Sequence, residues 1–370
     1  MRILNEFSPA SATLSPYFPK DALHMPDIEA KLKFLQAPET YGDSDLRLEC
    51  IETHMSWVFL VDQRVFKLKK PVCFPFLDFS TLKAREFYCR EEVRLNARLA
   101  PGIYLGVMAL QWCDGAFALL PEAQLPAPGE TVDWLVAMRR LPFHRMLHHL
   151  IAMHQVTPKD IDSLVGLFGS FYRAAPAVPL SGNDYLARFQ CAQASNREVL
   201  LRPQFQLRNA ALAMDRLGAA LAVAADLLRD RVSHQRILDG HGDLRPEHVC
   251  LLQPPVVFDC LEFNPLLRQL DPFDEIAYLS MECDMAGAPW IGPQLVSGIA
   301  NALSDHPHAA LMHFYTAHSA LLRARLAMAH LLDPQPRLPE KWPPLAERYI
   351  ARALSATDDF ISSMRHGTPE

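Results

Sequence analysis

The sequence predicts an α+β protein of two lobes, a small β-rich N-terminal lobe followed by a larger, mainly helical C-terminal lobe. Three observations carry this expectation. Between about residues 46 and 142, short runs of β-branched and aromatic residues surround a single helical segment. Beyond residue 142, apolar residues recur at three- and four-residue spacing over long stretches. The helical half is interrupted by a glycine-bearing loop and a short hairpin, "LDGHGDLRPEHVCLLQPPVVFDCLEFN", from Leu238 to Asn264.

The elements follow in order. Residues 1 to 45 form an N-terminal extension expected to pack on the first lobe; they are rich in Pro and Ser, with one helical patch, "DIEAKLKFLQ". "RLECIETHMSWVFLVDQRVFKLKKP" reads as two strands joined near Asp62-Gln63. "STLKAREFYCREEVRLNARLA" reads as a helix capped by Ser80, with Phe87, Val93, Leu95 and Leu99 at helical period. "IYLGVMALQ", "AFALLP" and "VDWLVAMRRLP" are further strands, the last ending at Pro142. In the second lobe, residues 143–370, "PKDIDSLVGLFGSFYRAA", "NAALAMDRLGAALAVAADLLRDRV", "HAALMHFYTAHSALLRARLAMAHLL" and "PLAERYIARALSATDDFISSM" are amphipathic helices whose apolar stripes read as core.

Composition narrows the function. The chain has 370 residues, 50% hydrophobic and 21% charged, enough to bury two lobes. With 36 basic against 42 acidic residues the net charge is -6, and the densest basic cluster is "KLKK" at 67–70, which argues against a general nucleic-acid binder. The first twenty residues lack the apolar core of a signal peptide. Met285–Ser304 and His306–Leu322 carry no Asp, Glu, Lys or Arg, but prolines and glycines in the first and histidines in the second fit packed helices better than membrane spans. The eight cysteines show no C-x-x-C spacing and read as reduced thiols. A cytoplasmic globular protein is expected.

Transfer of a phosphoryl group to a hydroxyl needs little covalent chemistry; it needs positioning and charge neutralisation. One carboxylate orients the attacking hydroxyl, another holds Mg²⁺, and a lysine held by a glutamate pairs with the phosphates. The sequence offers these parts in order. Asp243 follows Gly242 on the loop, and "PPVVFD" delivers Asp259 at the end of a short strand that folds back as a hairpin. Val65, Lys67 and Lys69 share one strand face, because side chains alternate. Either lysine can face phosphates, and Glu91 or Glu92 on the next helix can anchor it. Each part alone has a plainer reading: Asp after Gly as a turn former, lysines as a solvated strand edge, glutamates as a helix surface. The combination carries the argument. No G-x-x-x-x-G-K-[ST] loop is present.

"HGDLRPEHVCLL…VVFDCLEFN" resembles the catalytic loop and metal-binding segment of the aminoglycoside phosphotransferase-like kinases, relatives of the protein kinases. "ETHMSWVFL…VFKLKKPVCFPFLDFSTL…EEVRLNARLAPGIYLGV" resembles the N-lobe of an uncharacterised bacterial branch of that group, sometimes fused to a P-loop ATPase domain. The resemblance covers roughly residues 45 to 285 and implies a bilobal protein-kinase-like fold. It makes Asp243 the catalytic aspartate, with Arg245 beside it as a second catalytic candidate, and Asp259 the Mg²⁺ ligand. Lys67 is the first choice to pair with phosphates, Lys69 the second, and Glu92 is preferred over Glu91 as the helix partner. Backbone around Ala137, Met138 and Arg139 is implied to meet adenine, and Asp271 and Asp274 to be structural. ATP or GTP with Mg²⁺ or Mn²⁺ would be the cofactors. A small hydroxylated molecule would be the acceptor, bound between the catalytic loop and the C-terminal helices.

Two departures stand out. Arg245 replaces the usual second His of His-Gly-Asp-Leu-His, and His248 occupies the position of a metal-binding Asn, although imidazole is too soft for Mg²⁺. His248 is expected first to hydrogen-bond the loop and second to contact a metal, while Asp259 alone, or with Glu247 or Glu262, would supply the metal's oxygens. The turn "THMSW" also lacks glycine. An alternative reading is therefore a pseudokinase-like nucleotide-binding module that regulates a partner.

Overall fold

The computed structural model describes residues 26–366; expectations for residues 1–25 lie outside them. The described chain forms two compact units, one of residues 26–146 with 256–264, the other of residues 147–255 with 265–366. The first break falls close to the expected boundary near residue 142. The second differs from expectation, since sequence order assigned 256–264 to the C-terminal lobe. Its backbone explains the difference: Val257 N–H donates to the Leu99 carbonyl at 3.1 Å and Cys260 N–H to Asn96 Oδ1 at 2.9 Å.

The first unit is built on a six-stranded antiparallel sheet. Its strands are β1 (Leu48–Glu52), β2 (Ser56–Val61), β3 (Arg64–Lys69), β6 (Tyr104–Cys113), β7 (Ala116–Pro121) and β8 (Glu130–Arg139), in the order β1-β2-β3-β8-β6-β7. A small ribbon, β4 (Cys73–Phe74) with β5 (Leu77–Asp78), follows β3. The stretch expected to form two strands thus forms three. Asp62-Gln63 is a turn as predicted, and Thr53–Met55 make a second, where the Thr53 hydroxyl and backbone N–H both bond the Ser56 carbonyl.

Helices cover both faces of this sheet. On one, α1 (Ile28–Leu35) sends Leu35 into a cluster with Phe59, Phe66, Leu68 and Leu135. Burying a side chain such as Leu68, which has no exposed surface, is worth about 2 kcal/mol. On the other, α2 (Leu82–Asn96) packs Cys89 against Val107, Ala109, Trp134 and Val136. Its N-cap is Thr81, whose side chain accepts from Ala84 N, and not Ser80 as expected; the Ser80 hydroxyl instead donates to Asp78 Oδ1 at 2.6 Å. Alternation along β3 points Phe66 and Leu68 to the α1 side and leaves Lys67 and Lys69 facing α2. A bulge in β6 between Tyr104 and Gly106, with Gly106 at φ 138°, re-aims Tyr104 on the α2 side.

The second unit is helical: α3 (Leu147–Ala152), α4 (Pro158–Ala174), α5 (Gly182–Leu200), α6 (Ala210–Ser233), α7 (Pro272–Met285), α8 (Ile291–Leu303), α9 (Ala309–Ala329) and α10 (Trp342–His366). A short extended pair lies between, Leu238–Asp239 with Gln269–Leu270. The predicted α4, α6, α9 and α10 are all present. Asp271 is structural, as the resemblance implied. It caps α7 by accepting from Phe273 N at 3.0 Å, and it shares the Arg231 guanidinium with Asp305, at 2.6 and 2.7 Å. Among the described residues no helix is long and apolar enough to cross a membrane. The eight cysteines form no disulfide.

Candidate active site

The lysine strand and the second acid meet inside the first unit. Lys67 Nζ donates to Glu92 Oε1 at 2.9 Å and to Asp259 Oδ1 at 3.0 Å. Lys69 Nζ donates to the other glutamate oxygen, Oε2, at 2.5 Å, and also pairs with Glu262. Glu92 therefore holds both lysines, while Glu91 lies on the outer face of α2 bonded to Arg94. The lysines differ in exposure. The Lys69 side chain has none, whereas Lys67 retains 18% and Asp259 44%. Only the Lys67 end of this chain of charges is open to a ligand.

Burial disfavours the Lys67 ammonium, but Asp259, Glu92 and Glu262 outweigh it and hold its pKa well above the ordinary lysine value. Burial likewise opposes ionisation of Glu92, and the two ammonium groups overcome it, keeping its carboxyl below the usual range. Asp259 sits at φ 62°, a left-handed conformation that aspartate tolerates better than most residues. The Tyr104 hydroxyl, aimed by the β6 bulge, accepts its N–H at 3.3 Å, and the Cys260 bond to Asn96 fixes the next residue. Neither Tyr104 nor Asn96 stood out in the sequence, since a strand tyrosine and a helix asparagine carry no motif.

The catalytic-loop candidates lie in the second unit. Gly242, at φ 89°, makes the sharp turn before Asp243. The Glu275 carboxylate organises this turn: Oε1 accepts from His241 N at 2.6 Å and Gly242 N at 2.5 Å, and Oε2 accepts from the Tyr172 hydroxyl at 2.9 Å. A Cβ on Gly240 would stand 2.6–2.9 Å from that carboxyl group, so position 240 needs glycine. Sequence reading missed Glu275. The only signal was its place in the first turn of α7, beside the acids taken as helix-start residues.

Asp243 accepts from the Tyr278 hydroxyl at 3.4 Å. Arg245 Nε stands 2.9 Å from Asp243 Oδ1, close enough for an ion pair although its N–H is not aligned into a hydrogen bond. Burial and the neighbouring Asp243 push the Tyr278 hydroxyl pKa well up. His248, read from the sequence as a loop hydrogen-bonder or a metal contact, makes two contacts within the loop. Its Nδ1 lies 2.8 Å from the Asp243 carbonyl oxygen and its Nε2 lies 3.2 Å from Arg245 Nη2. A carbonyl only accepts and a guanidinium only donates, so Nδ1 carries the proton and the Nε2 lone pair is already engaged. His248 braces the loop.

Ala137, Met138 and Arg139 end β8, where they pair with Phe66, Val65 and Arg64 of β3. The Arg139 and Arg140 N–H groups donate to the Ile103 and Gln63 carbonyls, each at 2.8 Å. Among the described residues no group of three or more His, Cys, Asp or Glu forms a self-contained metal site.

No family model matches the sequence. The solved structures that resemble it include a choline/ethanolamine kinase family protein from Mesorhizobium loti, 14% identical, covering 92% of this chain and 99% of that one at a TM-score of 0.51. A choline kinase from Cryptosporidium parvum is 9% identical, with coverage of 90% and 96% and a TM-score of 0.55. A thermostable mutant of the aminoglycoside phosphotransferase APH(4)-Ia is 14% identical, with coverage of 88% and 98% and a TM-score of 0.52.

The chain has the aminoglycoside phosphotransferase-like, protein-kinase-like fold.

At this identity the likeness is one of fold, and this kinase-like fold hosts several substrates. Among curated proteins, the uncharacterized protein Rv2004c of Mycobacterium tuberculosis and Mb2027c of Mycobacterium bovis are each 28% identical over 300 residues, 77% of this chain and 55% of theirs. The chain thus spans about half the length of the curated relatives it matches.

Proposed function

We propose that the chain is a phosphotransferase that moves the terminal phosphoryl group of ATP, or of GTP, to a hydroxyl of a small molecule. The observation that carries this is Lys67 joined at once to Glu92 and Asp259. It unites the ammonium that pairs with phosphates, its helix anchor and an open carboxylate for a cation. The donor set fits Mg²⁺. Such ions take hard oxygens and use one or two carboxylates together with the substrate's phosphates, so no larger cluster is required. Asp259 would hold the ion, which neutralises charge on the transferring group.

Asp243 accepts the proton of the acceptor hydroxyl as its oxygen bonds to phosphorus. The bond from the terminal phosphorus to the bridging oxygen breaks, and the nucleoside diphosphate leaves. Tyr278 orients the Asp243 carboxylate, and Arg245 offsets negative charge beside it. The backbone near Ala137, Met138 and Arg139 is proposed to meet the base.

The test is ATP consumption over a panel of hydroxylated metabolites with Mg²⁺. Asp243→Asn should reduce turnover at least about a hundredfold and leave nucleotide affinity unchanged, as expected of a general base. Asp259→Asn should abolish Mg²⁺-dependent turnover. Equal turnover in Asp243→Asn and unmodified protein would refute the assignment. A second reading, a nucleotide-binding module without turnover, is favoured by the close approach of Arg245 to Asp243. Metal-dependent nucleotide binding with no transfer to any acceptor, in both the unmodified protein and Arg245→His, would select it.

A further inference from the structure

We propose that Lys69 and Glu262 act as a positioning pair for Asp259, holding the segment 256–264 on the sheet when Lys67 exchanges Asp259 for phosphate. This rests on the reading of Asp259 as the metal carboxylate. Lys67 bonds Asp259 Oδ1 directly. A lysine that turns to phosphates and an aspartate that turns to a cation cannot both keep that bond. Whatever then keeps Asp259 in place must come from elsewhere in the segment.

Lys69 and Glu262 are placed to do so. Glu262 lies three residues after Asp259 and pairs with Lys69, which is wholly buried, 4.9 Å above the Phe79 ring and tied to Glu92. Phe263, next in the chain, packs with Leu77 and Phe79. The charges form one alternating series, Asp259–Lys67–Glu92–Lys69–Glu262, that begins and ends on the same short segment. The series holds three carboxylates and two ammonium groups, with Asp259 its exposed end.

Glu92 gives one oxygen to each lysine, so the two halves of the series are not independent. Without Glu262, buried Lys69 is left with Glu92 alone and draws it from Lys67. A buried charge that loses a partner is strongly unfavourable, and the strain is relieved by moving the groups that remain. The effect reaches Lys67 and Asp259 through the shared Glu92 carboxylate. Side chains that orient a ligating carboxylate typically change metal affinity ten- to a hundredfold, roughly, when removed.

The experiment uses the full chain and five variants, Glu262→Gln, Lys69→Met, Lys69→Arg, Asp259→Asn and the double variant Lys69→Met/Glu262→Gln. Mn²⁺ binding to the ADP complex is followed by electron paramagnetic resonance, ADP affinity by calorimetry in chelator, and folding by thermal denaturation. Glu262→Gln and Lys69→Met should each weaken Mn²⁺ binding about tenfold, with metal-free ADP affinity changed less than about twofold. Lys69→Arg should restore most of the loss. The double variant Lys69→Met/Glu262→Gln, which leaves no unpaired charge from this pair, should fold and show the same tenfold loss. Unaltered Mn²⁺ binding in that folded double variant would make the pair structural only and overturn the proposal. Loss in Glu262→Gln with none in Lys69→Met would make Glu262 a ligand, which also overturns it. Undiminished Mn²⁺ binding in Asp259→Asn would instead remove the metal assignment itself.

Discussion

At the scale of single residues, chemistry was legible where a motif supplied both residue type and spacing. Strand alternation named Lys67 and Lys69, while the helix offered Glu91 or Glu92 and only the resemblance preferred Glu92; the fold shows that Glu92 holds both lysines. Glu275 and Tyr104 were not legible, because each acts on backbone N–H groups brought to it by distant chain. One residue outside the site makes a separate prediction. His318 on α9 has its ring 4.8 Å from that of Phe189, and burial, with Arg325, lowers its pKa from 6.5 to about 4. The unfolded chain therefore binds this proton below about pH 6.5 and the folded chain only near pH 4. Stability from the neutral ring is complete above that window and is lost as pH falls through it, by about 2–3 kcal/mol. Urea denaturation at pH 7.5 and 4.5 should show this loss, and His318→Gln should lack most of it.

At the scale of elements, helices with strong apolar period were found, whereas α5 and α8 were not singled out. α5 mixes Asn, Gln, Arg and Asp among its apolar residues and so blurs the period. α8 lies in an uncharged stretch with glycine and proline, which reads as buried without a clear face. The three-stranded start of the sheet was under-counted because "THMS" contains neither glycine nor proline to mark a turn. The loop that carries Asp243 makes the prediction at this scale. Gly240→Ala must displace a Glu275 carboxylate fixed by His241, Gly242 and Tyr172. Losing those bonds should cost about 1–3 kcal/mol in chemical denaturation and reduce turnover more than Mn²⁺ affinity. Wild-type stability in that variant would mean that Glu275 re-forms its bonds elsewhere.

At the scale of the whole molecule, order along the chain places residues 256–264 with the helical half, whereas the contacts group them with the first unit. Local pattern identifies a strand followed by an acid, but not which unit receives it; that is decided by the Lys67, Lys69 and Asn96 side chains. A fragment of residues 1–146 should accordingly unfold at lower temperature and with less cooperativity than the first unit of the intact chain. It lacks Glu262 to neutralise Lys69 and Phe263 to cover Leu77 and Phe79. Differential scanning calorimetry checks this, and a fragment as stable as the first unit would show that the inserted segment adds nothing.

The same inserted segment has a consequence for biosynthesis. Lys67 and Asp259 are 192 residues apart in sequence, so a growing chain displays its lysines and Glu92 long before the acids that balance them exist. Until residues 256–264 leave the ribosome, the first unit carries two ammonium groups on one carboxylate. Long-range contacts of this kind form late in folding. A truncated product of interrupted synthesis therefore holds Lys67 and Lys69 on Glu92 alone, and the charge series closes only when this late segment arrives.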